Sequence, residues 1–171
     1  MEIRLTGCTL RPWRRGDEPA LARHANNRNV WRNLRDAFPH PYTMEHAIQW
    51  VAASAGVEAG LKLAIEVGGE VVGSVGLTPQ ADVHRRTAEI GYWLAEPFWG
   101  RGIMSEAVRA ATEHGFRTLD VVRIQAAVFE WNTASMRVLE KCGYVREGRL
   151  CRSVSKDGQL IDSVLYANVR V

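Results

Sequence analysis

The residues best suited to chemistry lie between Ala88 and Ala107. There a strand pattern, Ala88-Glu89-Ile90-Gly91-Tyr92-Trp93-Leu94, runs through Trp99 into a Gly100-Arg101-Gly102 turn and directly into a helix pattern. Such a turn can hold a phosphate, because the first turn of a helix presents backbone N–H groups with no intrahelical partner at the positive end of the macrodipole. Glycines at 100 and 102 let the backbone come close to that ligand. The residues match neither a dinucleotide-binding G-x-G-x-x-G with an acid about 20 residues on, nor a loop ending in Gly-Lys-Ser/Thr. Taken alone, the turn reads equally as a plain strand-to-helix connection. A second motif, Asn132-Thr133-Ala134-Ser135, precedes Gly143-Tyr144. Taken alone, Asn132 is a helix N-cap and Ser135 a tolerated small residue.

Positioning these groups takes one mixed α/β domain over residues 1–171, with a sheet of six or seven strands and about four helices. Thr9 to Trp13 reads as a strand. Asp17 reads as the N-cap of a helix to about Asn27, with Pro19 in its first turn, and Asn29 to Leu34 as one further turn. Thr43 caps a helix with Ala47, Ile48, Val51, Ala52 and Ala55 at helical spacing. Leu61, Leu63, Ile65 and Val67 alternate, Gly68-Gly69 turns, and Val71 to Leu77 returns as the partner strand. Arg86 to Ala95 is a strand that Pro97 cannot continue. A helix from about Gly102 to Thr118 sets Ile103, Met104, Ala107, Val108, Ala111 and Gly115 along one stripe. Val122 to Phe129 is a strand and Asn132 to Cys142 a helix ended by Gly143. A last hairpin joins Tyr144–Arg149 to Leu160–Val169 through Asp157-Gly158.

Composition narrows the function classes. With 46% hydrophobic and 24% charged residues over 171 positions, the chain suits one core, burying roughly 70% of its unfolded surface. A net charge of +3 from 22 Lys+Arg against 19 Asp+Glu permits an anionic ligand without demanding nucleic acid. The three cysteines, Cys8, Cys142 and Cys151, form no CxxC pair and have no His at metal-ligand spacing, so reduced thiols in the cytoplasm and no metal are expected. The opening residues lack a signal-peptide pattern and no stretch approaches the ~20 apolar residues of a membrane span, so no membrane partner is expected.

Together, the two motifs resemble the GNAT superfamily of N-acetyltransferases, in which a strand, phosphate turn and helix are followed by a strand, an Asn-x-x-Ser/Ala helix and a Gly-Phe/Tyr strand. The resemblance covers essentially the whole chain. It is closest to the branch that includes enzymes acetylating the N-termini of ribosomal proteins. The residues that carry it are Leu10-Arg11-Pro12 with Asp17, Pro41-Tyr42, Ala88 to Leu94, Trp99 to Gly102, Ser105-Glu106-Ala107, Asn132 with Ser135, Asp157-Gly158, Asp162 and Tyr166. It implies a GNAT-like fold, acetyl-CoA as co-substrate, and a primary amine acceptor, either a protein N-terminus or a small amine. Homodimers are common in the family.

The resemblance puts the acetyl-CoA pyrophosphate on the backbone of Gly100, Arg101, Gly102, Ile103, Met104 and Ser105, and the pantetheine arm beside Trp93, Leu94 and Ala95. Asn132 would reach the cofactor from the other side, with the Arg101 and Arg137 side chains as candidate phosphate contacts, although a solvated charge is the commoner fate of an Arg on a helix face. The family pattern is Gln/Arg-x-x-Gly-x-Gly/Ala. Here Trp99 stands first and Met104 last, which main-chain recognition tolerates. Trp99, Phe98 and Tyr92 read as packing residues.

Acetyl transfer needs a neutral amine, although a lysine amine titrates near ~10.4 and a terminal amine near ~7.7 to 8.0. By resemblance Glu89 is the base. On an unbulged strand it shares a face with Gly91 and Trp93, opposite Ile90, Tyr92 and Leu94. Its other reading is a structural carboxylate paired to Arg85, Arg86 or Arg123, and His84 is a second base candidate. A backbone N–H near Leu94 would stabilise charge on the thioester oxygen. Many family members protonate the leaving thiolate with a Tyr, but Leu139 stands at that position, which leaves Ser135 as donor or thiol-orienting group. Cys142 and Cys151 read as buried free thiols, so direct attack in a ternary complex is expected rather than an acyl-enzyme. The departures at Met104 and Leu139 leave a second class open, a CoA-binding sensor or interaction module without turnover.

Overall fold

Two short strands, Ile3–Arg4 (β1) and Thr9–Pro12 (β2), pair antiparallel at one edge of the sheet. The computed structural model describes residues 1–55 and 60–170. Three helices follow, Glu18–Ala25 (α1), Arg28–Trp31 (α2) and Met44–Ser54 (α3). Thr43 caps α3 as expected: its hydroxyl accepts the His46 N–H while His46 Nδ1 accepts the Thr43 N–H, a reciprocal capping box. The expected hairpin forms between Leu61–Val67 (β3) and Glu70–Pro79 (β4), with Leu63 opposite Val75.

Thr87–Leu94 (β5) runs antiparallel to β4, and the helix Ile103–Thr118 (α4) then leads to Arg123–Phe129 (β6). Thr133–Lys141 (α5) precedes the closing hairpin of Val145–Lys156 (β7) and Gln159–Val169 (β8). Among the described residues the sheet has eight strands in the order β1-β2-β3-β4-β5-β6-β8-β7, and only β5 and β6 are parallel. The strand beyond the expected seven is β1, whose two residues are too few for alternation to register.

The sheet separates two apolar layers. On one side Ala88, Ile90 and Leu94 pack with Ile103, Met104, Ala107, Val108 and Ala111 of α4. On the other, Trp93 packs with Trp13, Leu21, Ala25, Tyr42, Ala47 and Val51 around α1 and α3. Among the described residues no helix is long and apolar enough to cross a membrane.

Asp17 differs from expectation. It precedes α1 but its carboxylate makes no cap bond. Instead its two oxygens accept from Arg11 Nη1 and Nη2, both at 2.8 Å, and one accepts the Arg14 N–H at 2.9 Å. Arg11, only 4% exposed, also reaches Glu66 at 2.5 Å. A buried guanidinium left unpaired would cost more than a lost cap, so the pair takes the carboxylate. Burial alone would raise the Asp17 pKa, but the hydrogen bonds from Arg11 and Arg14 outweigh it and hold the group below its usual range. A depressed carboxyl contributes stability above its unfolded pKa of about 3.9 that is lost as pH falls through the folded value. Asp17→Ala should therefore lose about 3–5 kcal/mol in urea unfolding at neutral pH, and the deficit should shrink in strong acid.

Candidate active site

The parallel pairing of β5 and β6 is short. It holds Thr87–Glu89 against Arg123–Gln125 and then stops. Beyond it the strands splay, and Ile90–Leu94 on one and Ala126–Phe129 on the other line a cleft of about 810 Å³. The hydrogen bonds Gln80 N–H to Thr87 O and Ala95 N–H to Val72 O make the odd residues of β5 the ones bonded to β4. Antiparallel pairing alternates, so the N–H groups of Tyr92 and Leu94 face the β6 side, where no ladder partner meets them. A dipole donor at the splay thus follows from register alone.

The Gly100-Arg101-Gly102 turn closes one end of this cleft. Gly100 and Gly102 have φ of 74° and 80°, and Gly102 is the N-cap of α4. A Cβ at either position would touch nothing, so left-handed backbone rather than space demands glycine there. Trp99 N–H bonds to Glu96 O, and the next bonded N–H is that of Glu106, to Gly102 O. The six N–H groups from Gly100 to Ser105 therefore have no partner among the described residues. Left-handed glycines feeding a 16-residue helix make a concave row of donors suited to an anion. The Ile103 and Met104 side chains are buried behind it, so the cradle is main chain.

Trp99 does more than packing predicted. Its indole N–H donates to Leu94 O at 2.7 Å, tying the cradle to the end of the splayed strand. Arg101 lines the cleft, but its guanidinium folds back to donate to Pro97 O at 2.8 Å and lies 5.2 Å from the Phe98 ring. Arg137 is exposed, lines the cleft and has no ion-pair partner among the described residues. Trp93 and Leu94 line the cleft on opposite faces of the sheet. Ala95 does not: it is fully buried with its N–H on Val72.

Asn132 caps α5, accepting the Ser135 N–H at 3.2 Å, and lines the cleft with Ser135. The Ser135 hydroxyl lies 2.7 Å from the Tyr92 hydroxyl, which projects from β5 across the cleft. Burial raises the Tyr92 phenol well above its usual pKa, only partly offset by Ser135, so it holds its proton at neutral pH. Sequence reasoning treated Tyr92 as packing, although its β5 face, shared with Ile90 and Leu94, already aimed it toward the α5 side. Leu139, at the position of the missing Tyr, is fully buried in the core.

Glu89 lines the cleft on the opposite face of β5 from Tyr92. Its partner is Arg35, from the segment after α2, rather than Arg85, Arg86 or Arg123. Arg86 pairs with Asp120, Arg123 with Glu147, and Arg85 bonds to Asp82 O. Arg35 lies 54 positions from Glu89, so no local spacing could have shown the pairing. His84 is exposed, in a single turn at Asp82–His84, and does not line the cleft.

Leu21, Val30, Phe38, Tyr42 and Trp50 also line the cleft. The closing hairpin supports this wall indirectly. Its tip holds the α2 segment, through Arg28–Asp157 at 2.6 Å and Lys156–Asp36 at 2.7 Å. Cys142 is buried and its thiol, raised in pKa by burial, donates to Ser105 O at 3.2 Å. Cys151 is exposed, contrary to expectation, because β7 is the edge strand and turns most of its residues outward.

Comparison with known proteins converges on one family. Residues 8–145 match the acetyltransferase (GNAT) domain. A Bacillus subtilis relative, the uncharacterized N-acetyltransferase YoaA, is 38% identical over 101 residues, 59% of this chain and 56% of that protein. The chain spans about half the length of the curated relatives it matches. The ribosomal-protein-S5-alanine acetyltransferase of Vibrio fischeri has the same fold, with a TM-score of 0.85 at 20% identity over 99% of this chain and 97% of its own. So does the Vibrio cholerae spermidine N-acetyltransferase in complex with CoA and spermine, with a TM-score of 0.80 at 24% identity over 97% of each chain.

Proposed function

Because the chain belongs to the GNAT acetyltransferase family, we propose that it moves the acetyl group of acetyl-CoA to a primary amine, by direct attack in a ternary complex. The observation that carries the reading is the run of six unpartnered backbone N–H groups from Gly100 to Ser105 at the mouth of the splay. A pyrophosphate accepts several such donors at once. Arg137 and, after swinging off Pro97, Arg101 add charge beside it. The splay then takes the pantetheine arm along Leu94 and Trp93, with the Asn132 amide on the far wall.

In this reading each chemical service has a group in place. Glu89 takes the proton of the incoming ammonium. The Leu94 N–H, aimed into the splay, meets the oxygen of the reacting acyl group. The Tyr92–Ser135 hydroxyl pair gives a proton to the departing thiolate, Ser135 handing it on as Tyr92 replenishes it, and the phenol regains its proton from solvent. The phenol fills the role for which Leu139 has no group. Neither buried thiol faces the cleft as a nucleophile, which favours direct attack over an acyl-enzyme.

Release of free thiol from acetyl-CoA, measured over a panel of amines and peptides, tests the reading. Tight acetyl-CoA binding without release on any acceptor would leave only a cofactor-binding module. Ser135→Ala and Tyr92→Phe should each lower turnover by about tenfold. That is less than the usual 10²–10⁴ for a general acid, because a thiol of pKa near 8.5 leaves readily. Since the two hydroxyls act in series, the double variant should fall little further; fully multiplicative losses would separate their roles.

A further inference from the structure

Glu89 is the only carboxylate among the described residues that line the cleft, against five cations, Arg35, Lys62, Arg101, Arg137 and Lys141. Arg101, Arg137 and Lys141 belong to the turn and α5, on the side where the proposed phosphates neutralise them. Arg35 belongs to the acceptor side and reaches Glu89 from the segment between α2 and α3.

That segment is anchored on both flanks. Lys156, nearly fully buried, bonds Asp36 and lies 3.7 Å from the Trp31 ring centroid. Trp131 Nε1 donates to Asn33 Oδ1 at 3.1 Å, and the Arg32 guanidinium stacks 5.1 Å from the Trp131 ring. The backbone carrying Arg35 is therefore held in place. Its side chain is 73% exposed and pairs with the Glu89 carboxylate.

An amine enters as an ammonium. Beside Glu89 it meets the Arg35 guanidinium. A polycation adds further positive charge beside a guanidinium that already engages Glu89. An acceptor carrying its own carboxylate resolves the conflict. That carboxylate can take Glu89's place on the planar Arg35 fork, while the ammonium takes Arg35's place at Glu89.

We propose that Arg35 selects the acceptor, and that the acceptor is a primary amine with a carboxylate a few bonds from its nitrogen. The inference rests on the transferase reading above. Two sources share this chemistry, a free amino-acid-like molecule and a peptide N-terminus with an acidic residue next to it.

Matched acceptors distinguish the sources. β-Alanine is compared with its amide, and a short peptide with Asp in second position with the same peptide carrying Asn, with spermidine as the polycation. The expected result is a kcat/KM at least about tenfold higher for the carboxylate member of one pair, the worth of one charge-assisted contact. Spermidine should be the poorest acceptor. Arg35→Gln should bring the preferred pair's ratio toward one through KM, and Arg35→Lys should keep part of it. Each ratio is internal to one protein sample, so partial misfolding of a variant does not disturb it. Turnover with no preference in either pair, spermidine as a good acceptor, or a ratio unchanged in Arg35→Gln overturns this inference alone. No thiol release from any acceptor, with acetyl-CoA bound, overturns the transferase reading and this inference with it.

Discussion

Glu89→Gln is expected to lower turnover on a primary amine by about 10²–10⁴-fold near and below neutral pH, the usual worth of a positioned base. The loss should narrow as pH rises. A terminal amine has a pKa of about 7.7 to 8.0, so above that range much of the acceptor is already neutral and the base has less to do. Acetyl-CoA affinity should stay nearly unchanged, because the side chain faces the side of the sheet opposite the Tyr92–Ser135 pair and lies outside the Gly100–Ser105 row. The fold should survive as well: the Arg35–Glu89 pair is partly exposed, and such pairs contribute about 0–1 kcal/mol. A pH–rate profile of wild type and variant on one acceptor decides the matter. Equal turnover across the range would remove Glu89 from the chemistry and leave it as the anchor of Arg35.

Gly102→Val should act on cofactor binding. At φ of 80° a side chain costs roughly 1–2 kcal/mol, more when branched at Cβ. No neighbouring atom lies within reach of an added Cβ, so the penalty is one of backbone conformation. The chain relieves it by rotating the peptide, which turns the N–H groups of the cradle away from their common focus. The expected result is a Kd for acetyl-CoA at least about tenfold higher, since each 1.4 kcal/mol is worth a factor of ten. Calorimetry with acetyl-CoA reads it, with unfolding followed in parallel. Wild-type affinity in a stable Gly102→Val protein would mean that the row of donors is not the phosphate site.

Local pattern made most of the architecture legible. Alternation marked β3 and β4, helical spacing marked α3 and α4, and the Thr43 cap and the glycine turns fell where their residue types require. The cradle was legible for the same reason, since a helix N-terminus behind left-handed glycines is a property of consecutive residues. Misreadings arose where a side chain had a choice of partners. Asp17 has the chemistry of an N-cap, but a buried Arg11 claims it. Tyr92 and Trp99 look like packing until the hydroxyl of Ser135 and the carbonyl of Leu94 come within 2.7 Å. Cys151 reads as a buried thiol until β7 proves to be the edge strand.

The sequence by itself determined the cradle in which the donor is proposed to sit. Glycine conformation, unpaired N–H groups and the cap at Asn132 depend on neighbours in the chain and carry over wherever the fold places them. Only the tertiary structure decided the cleft proposed for the acceptor. The splay exists because β5 and β6 pair for three residues and then part. The Glu89 carboxylate faces Arg35, and Tyr92 faces Ser135, because sheet register and helix packing bring together groups 54 and 43 positions apart. Side-chain partnerships across such separations are set by the packing of layers rather than by the spacing of residues.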